Sequence, residues 1–492
     1  MKRTISAVLS AALLTAILAS CGAEAVSETK TTESSENAAT EAVTEEAKDP
    51  NYISDIDHTK DWNGEEFRVL ASEYWGPGYE FTVEEITGEA VDDALFNRNK
   101  KIEDSYHVTL GVDVRSDAMK QAQTEVQAGS ETYDVFTLNS YESAQLSINN
   151  CFVDLMTTDN MNLKKGYWDQ AMIRNLSIDN KIFYVTGDIS TRANDGTFLM
   201  LFNKNLAAQN DLPDLYQIVR DGKWTMDQFD VLISDFTRDL DGDGKLTPDD
   251  AWGFATQQEA YLGFFYSCDE TIIGRDKDGM PILDLVDDRF YQVYEKLINV
   301  LRKDNKTISA HDYLNYKGAT DLINSPMFRE GRALFYYSVA SCFAGFRDMK
   351  DDYGVLPSPK FDEAQENYVS YVYHGAGLYS IPTTSSDPGF PGFVMEALAE
   401  ESYAHVTPVY YETTLKDKYQ RDENSAEMLD IVFRNRVWDL GYIVDFGQLS
   451  TTLMQQIARG NENFTANYEK AVKRTEKAIN TYIETYQNSA NY

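Results

Sequence analysis

Phe67-Arg68-Val69-Leu70-Ala71, His107 to Val114 and Tyr133-Asp134-Val135-Phe136-Thr137-Leu138 are three short apolar runs, and what separates them decides the fold. Each run is rich in the aliphatic and aromatic residues that favour strands. Between the first two, Asp92 to Tyr106 is charged but places Ala94, Leu95, Ile102 and Tyr106 at helical spacing. Between the second and third, Met119 to Ala128 reads as another helix, stopped by Gly129. Strand, helix, strand, helix, strand is half of a doubly wound α/β sheet. Ligands bind such sheets outside the carboxyl ends of the strands. The first strand ends in Tyr74-Trp75-Gly76-Pro77-Gly78 and the third in Asn139-Ser140-Tyr141-Glu142, so these loops are the first site candidates.

Upstream of this unit, Lys2 and Arg3 precede an apolar run from Ile5 to Ala19, too short for an ordinary membrane span but suited to a secretion signal. Its end, Leu18-Ala19-Ser20-Cys21, resembles the bacterial lipobox, which implies that Cys21 carries lipid and becomes the new N-terminus. Residues 22–50 contain no aromatic residue and are mainly Glu, Thr, Ser and Ala. Such a segment buries too little apolar surface to offset its ordering entropy and is expected to be a solvated tether. The body that follows from Tyr52 exceeds one comfortable core, which predicts two lobes. With 80 acidic against 44 basic residues and a net charge of −36, nucleic acid and anionic surfaces are disfavoured as partners. Cys151, Cys268 and Cys342 are widely spaced and odd in number, so no zinc site is indicated and at most one disulfide can form. The 31 tyrosines either fill core and surface or line a sugar cleft, where flat rings pack on pyranose faces.

Further pieces follow in a fixed order: Phe152-Val153-Asp154-Leu155, Lys181-Ile182-Phe183-Tyr184, Leu201-Phe202-Asn203-Lys204-Asn205-Leu206, Trp224 to Phe229, Trp252-Gly253-Phe254, Phe328 to Phe335 and Tyr353 to Pro359. Together with the lipobox and the first strand, this series resembles the extracellular solute-binding proteins of ABC importers, of the maltose-binding-protein-like family 1. The resemblance implies a periplasmic-binding-protein-like type II fold: two doubly wound α/β lobes that exchange chain segments through a hinge and trap the ligand between them. It places crossings near Thr186–Thr197, near Tyr371–Gly377 and after Tyr411. The implied organisation is a signal at 1–20, a lipidated tether at 21–50, an N-terminal lobe of 51–188 plus about 375–412, and a C-terminal lobe of about 195–372 plus 413–492. Glycines 187, 196, 375 and 377 suit either a hinge or ordinary turns. Carried over by position, the family's binding loops correspond to Tyr74 and Trp75, to Asn139, Tyr141 and Glu142, to Arg192 through Asp195, and to Tyr337 and Ser338 in a loop of the second lobe, with Trp438 or Tyr442 from the C-terminal region. Carboxylates, Asn and Arg would bond paired sugar hydroxyls while Trp and Tyr stack. The resemblance implies a membrane-anchored, monomeric receptor that binds a mono- or oligosaccharide, is not an enzyme, and delivers its solute to an ABC permease.

Asp239-Leu240-Asp241-Gly242-Asp243-Gly244-Lys245-Leu246-Thr247-Pro248-Asp249-Asp250 matches the calcium-loop pattern, with oxygen ligands at positions one, three, five and twelve and glycine at six. Asp239, Asp241, Asp243, the Lys245 carbonyl and Asp250 are therefore expected to hold a structural Ca2+. Asp250 in place of the longer Glu, and the internal Pro248, depart from the full pattern, and the alternative is an acidic turn before Trp252. Two other functions stay open on sequence alone: a secreted carbohydrate-active enzyme, whose carboxylate pair would be invisible among so many acids, and a calcium-dependent surface adhesin. No HExxH, GxSxG or phosphate-binding loop is present, and the five histidines are scattered.

Overall fold

The computed structural model describes residues 49–76, 78–313, 325–419 and 423–489. The signal, Cys21 and nearly all of the tether lie outside them, as does Pro77. The opening unit forms as the apolar spacing predicts, with ends shifted by a residue or two. Strands Glu65–Ser72, Val108–Arg115 and Val135–Asn139 alternate with helices Ala90–Tyr106 and Ala118–Ala128. The first helix turns Ala94, Leu95, Ile102 and Tyr106 inward and stops at His107, whose φ of 48° is left-handed. The second is closed by Gly129 at φ 65°, whose N–H reaches back to the last carbonyls.

Glu65–Ser72 lies parallel between Val108–Arg115 and Val135–Asn139, with Val69 opposite both Val112 and Val135. A fourth strand, Gly377–Ser380, pairs antiparallel with Val135–Asn139. The second sheet repeats the plan. Trp252–Thr256 lies parallel between Thr307–Ser309 and Ala333–Val339, and Phe198–Asn203 runs antiparallel beside Ala333–Val339 with Tyr353–Leu356 at its edge. In each sheet the antiparallel strand comes from chain that has just arrived from the other lobe. Val185 pairs with Tyr379, and Thr197 with Val372, so residues 186–197 and 372–377 run side by side between the sheets.

The crossing is held by buried polar groups. Ser190 Oγ and the Thr191 N–H donate to Glu80 Oε1 at 2.5 and 3.1 Å, while the buried Arg98 donates to the Ile189 carbonyl at 3.0 Å. Two of the crossing glycines are there for close approach. A Cβ on Gly187 would sit 2.1 Å from the Tyr167 carbonyl, and one on Gly375 would sit 2.7 Å from Trp75 Cγ.

The helix Thr465–Asn488 contacts both lobes. At its start Phe464 packs on Phe290 with ring centroids 5.1 Å apart. At its end the Tyr482 hydroxyl lies 3.2 Å from that of Tyr184 and 3.4 Å from Ser147 Oγ, and Lys181 Nζ donates to the Tyr486 and Ser489 carbonyls. Cys151, Cys268 and Cys342 are free thiols.

Candidate functional site

The turn after the first strand is tight, with Trp75 at φ 65° and the Gly76 N–H donating to the Glu73 carbonyl at 3.2 Å. It leaves Tyr74 46% exposed at the carboxyl end of the sheet. The Tyr74 and Tyr373 hydroxyls hydrogen-bond at 2.7 Å, and the Tyr74 ring lies parallel to His374 with centroids 6.1 Å apart. Trp75 is half-buried, its ring 5.1 Å from Tyr373 and seated on the bare Cα of Gly375. The loop is thus laid against the second crossing. Tyr141, at the end of the adjacent strand, is 48% exposed.

His374 joins the parts. Its carbonyl accepts from the N–H and Oγ of Ser140, at 2.9 and 3.0 Å, at the start of the helix Ser140–Ser147. Its Nδ1 lies 2.9 Å from the Tyr442 hydroxyl, which also faces the His374 N–H at 3.4 Å. Burial pushes the imidazole down to about 4.

Beside the crossing, a cavity of about 390 Å3 opens between Tyr79, Thr191, Arg192 and Asp195 on one wall and Ala340 and Ser341 on the other. Arg192 donates to Asp195 Oδ2 at 2.9 Å and to the Gly76 carbonyl at 3.1 Å, with its guanidinium 4.4 Å above the Tyr79 ring. Tyr410 donates to Asp195 Oδ1 at 2.8 Å. Burial raises the Asp195 carboxyl, against the pull of Arg192. At the edge Arg347 of the second lobe reaches Glu89 of the first at 3.9 Å.

The remaining sequence candidates lie elsewhere or are otherwise engaged. Asn139 and Glu142 form a capping box: Asn139 Oδ1 accepts from the Glu142 N–H at 2.9 Å, and Glu142 Oε2 from the Asn139 N–H at 3.3 Å. Burial raises the Glu142 carboxyl. Tyr337 and Ser338 are not in a loop, because pairing with Phe198–Phe202 extends the strand through Val339. Tyr337 is fully buried, its hydroxyl 2.8 Å from Ser358 Oγ and its ring between Phe198 and Phe264. The strand ends at Val339, and Ala340 and Ser341, which open the 3-10 helix Ala340–Phe346, meet the cavity instead. Trp438 is 3% exposed and donates to Asp169 Oδ2 at 3.2 Å, beside Arg436. Tyr442, the sequence's alternative to Trp438, does reach the crossing, through His374; Tyr373 reaches it too, and the aromatic run Tyr371-Val372-Tyr373-His374 next to glycine was its sequence signal.

In the acidic loop, Asp239, Asp241 and Asp243 each offer an oxygen within 4.8 Å of the others. Asp250 turns instead to the loop's own donors, the N–H groups of Leu240 and Thr247 at 2.9 and 2.7 Å. Asp239 likewise accepts from the Gly242 and Gly244 N–H groups, both at 2.7 Å. The residues at positions one, three and five fit a calcium ion, whereas the residue at twelve does not join them.

No family model matches the chain, and no curated protein sequence matches it. Solved structures do. An ABC substrate-binding protein of Listeria monocytogenes in complex with cycloalternan superposes with a TM-score of 0.54 at 13% identity, covering 86% of this chain and 99% of that one. The maltose-binding MalE of Listeria monocytogenes, in complex with maltose, gives 0.53 at 15%, with 85% and 98% covered. UgpB of Mycobacterium tuberculosis, in complex with glycerophosphocholine, gives 0.54 at 14%, with 85% and 98% covered. The chain has the periplasmic-binding-protein-like type II fold, two doubly wound lobes joined through exchanged strands.

Proposed function

We propose that the protein is a solute receptor of an ABC importer that captures a small neutral solute, a mono- or oligosaccharide, between its lobes. The observation that carries this reading is the pair of exposed tyrosines, Tyr74 and Tyr141, at the carboxyl ends of adjacent strands beside the crossing. Such rings supply an apolar face and a hydroxyl, the combination a pyranose needs. The three charged side chains of the cavity support a neutral ligand, because Arg192 is paired with Asp195 and Arg347 with Glu89. The structural neighbours bound to cycloalternan and maltose are in keeping with a sugar. Contacts from both lobes would favour the closed state over the open one.

The same proposal includes a lipid on Cys21 as the membrane anchor, an ABC permease as the receiver of the closed form, and a monomeric body. Two or three acyl chains anchor stably, each buried CH₂ contributing about 0.8 kcal/mol. Among the described residues no helix is long and apolar enough to cross a membrane. A structural calcium ion would be held by Asp239, Asp241 and Asp243 with the Lys245 carbonyl, bracing an exposed turn before Trp252.

Calorimetric titration with oligosaccharides, monosaccharides, polyols and glycerophosphodiesters, followed by product analysis, tests the reading. Saturable one-to-one binding of a neutral sugar without products is expected. Turnover would make the protein an enzyme, and selective binding of a phosphodiester would overturn the neutral-solute assignment.

A further inference from the structure

A second cavity, of about 560 Å3, lies under the C-terminal helix and shares no residue with the one at Arg192. The turn after helix Ser140–Ser147 forms one wall, through Ile148 and Asn149; the loop Val444–Gly447 forms another, and helix Thr465–Asn488 the third. The loop fits closely because Gly447 has no Cβ: one would lie 2.5 Å from Thr475 Oγ1 and 2.9 Å from Arg474 Cγ, at a φ of 59°. Phe446 and Tyr482, both nearly fully buried, give the cavity an apolar floor with Ile148.

Its rim is cationic. Arg474 and Lys477 are successive positions on one helix face, both exposed, and neither side chain has an ion-pair or hydrogen-bond partner among the described residues. The one carboxylate that lines the cavity, Asp445, is already engaged: it accepts from the N–H groups and hydroxyls of Ser450 and Thr451 at the start of helix Leu449–Ala458. Its charge is thus partly neutralised by the helix N-terminus.

We propose that this cavity is a second ligand site, for a small amphipathic carboxylate whose apolar tail lies on Phe446, Tyr482 and Ile148 and whose head group pairs with Arg474 and Lys477. An anion is chosen over a sugar because two unpaired cations reward charge, while the Thr481 and Thr485 hydroxyls of the lining already donate to carbonyls of their own helix. The volume falls within the range that small-molecule sites occupy.

Sodium octanoate titrated into the full-length chain in a calorimeter is the test, with octan-1-ol as its neutral counterpart. One saturable site per chain is expected, and the alcohol should bind about fivefold or more weakly, since two exposed, solvent-screened ion pairs are each worth a few-fold in affinity. Arg474→Glu with Lys477→Glu should abolish the preference for the carboxylate. Ala478→Trp, which fills the cavity and keeps both cations, should abolish binding, with a thermal melt verifying that each variant is folded. Equal binding of alcohol and octanoate, unchanged octanoate binding in both folded variants, or no saturable binding would each overturn the assignment.

Discussion

His374 should make the protein sensitive to acid in a specific way. Its imidazole sits among the rings of Tyr74, Tyr373 and Tyr442, and burial lowers it from 6.5 to about 4. The folded state therefore binds the proton less readily than the unfolded chain. The stability that results is present above about pH 6.5, declines as the pH falls below that, and is gone once the pH passes below about 4. From these two values the loss is about 2 kcal/mol by pH 5 and about 3 kcal/mol at pH 4. Other groups act oppositely. Glu396, raised to about 7 by burial, is more stable protonated, so its contribution is full below the unfolded carboxylate range and is lost as the pH rises through about 7. The His374 share must therefore be isolated by comparison with His374→Gln, which cannot be charged. Urea denaturation of both proteins at pH 7.5, 6, 5 and 4 provides it. The difference between them should be constant above pH 7 and should shift in favour of the variant by about 2 kcal/mol by pH 5. A difference that does not change with pH would show that the imidazole titrates normally and that its enclosure by the tyrosines is lost in solution.

Trp75→Ala should weaken solute binding by about tenfold or more, because an aromatic platform contributes on the order of 1–3 kcal/mol; unaltered affinity in the folded variant would remove Trp75 from the site. Tyr337→Phe should do the reverse: losing the bond to buried Ser358 should lower stability by about 1–3 kcal/mol in denaturant while solute titration gives an unchanged Kd. Chelator should lower the melting temperature of calcium-loaded protein, and Asp241→Asn with Asp243→Asn should abolish that response; a melt indifferent to both added calcium and chelator would leave the acidic turn as the reading. Cys21→Ala should release the protein from membranes or leave an uncleaved precursor, and detergent-dependent membrane association with normal processing would refute lipidation.

Local patterns were readable in the sequence, and pairings across the chain were not. The helix over Asp92–Tyr106 followed from the spacing of Leu95, Ile102 and Tyr106, which the structure buries on one face. Asn139 and Glu142 looked like ligand donors because they end a strand, yet Asn followed three residues later by Glu is also a capping-box signature, and that is the role they fill. Tyr337 was misplaced because the strand holding it is lengthened by Phe198–Phe202, over a hundred residues earlier, and nothing local announces that ladder. The burial of Trp438 was unreadable for the same reason, since its partner Asp169 belongs to another element. Glu80 and Arg98 passed unnoticed because a charged residue reads as solvent-facing until its buried partners are known.

The repeated sheet plan explains why a solute at Tyr74 would be felt at the hinge. In both sheets the strand next to the crossing is antiparallel and belongs to the exchanged chain, so residues 186–197 and 372–377 are continuous with both β-structures rather than a loose linker. Ladder bonds resist shear, so rotation of the lobes must be absorbed within those few residues. They are also the residues that the site contacts. Tyr373 bonds Tyr74, Gly375 supports Trp75, and His374 holds Ser140 of one lobe and Tyr442 of the other. A ligand that prefers one rotamer of Tyr74 therefore acts on the Tyr373 hydroxyl directly, with no intervening relay. The free energy it can contribute to closure is limited to the difference between its contacts in the two states. If the proposed solute reaches from Tyr74 to Arg192, Ala340 and Ser341, on the opposite wall of the cavity, are the residues it would meet as the lobes approach.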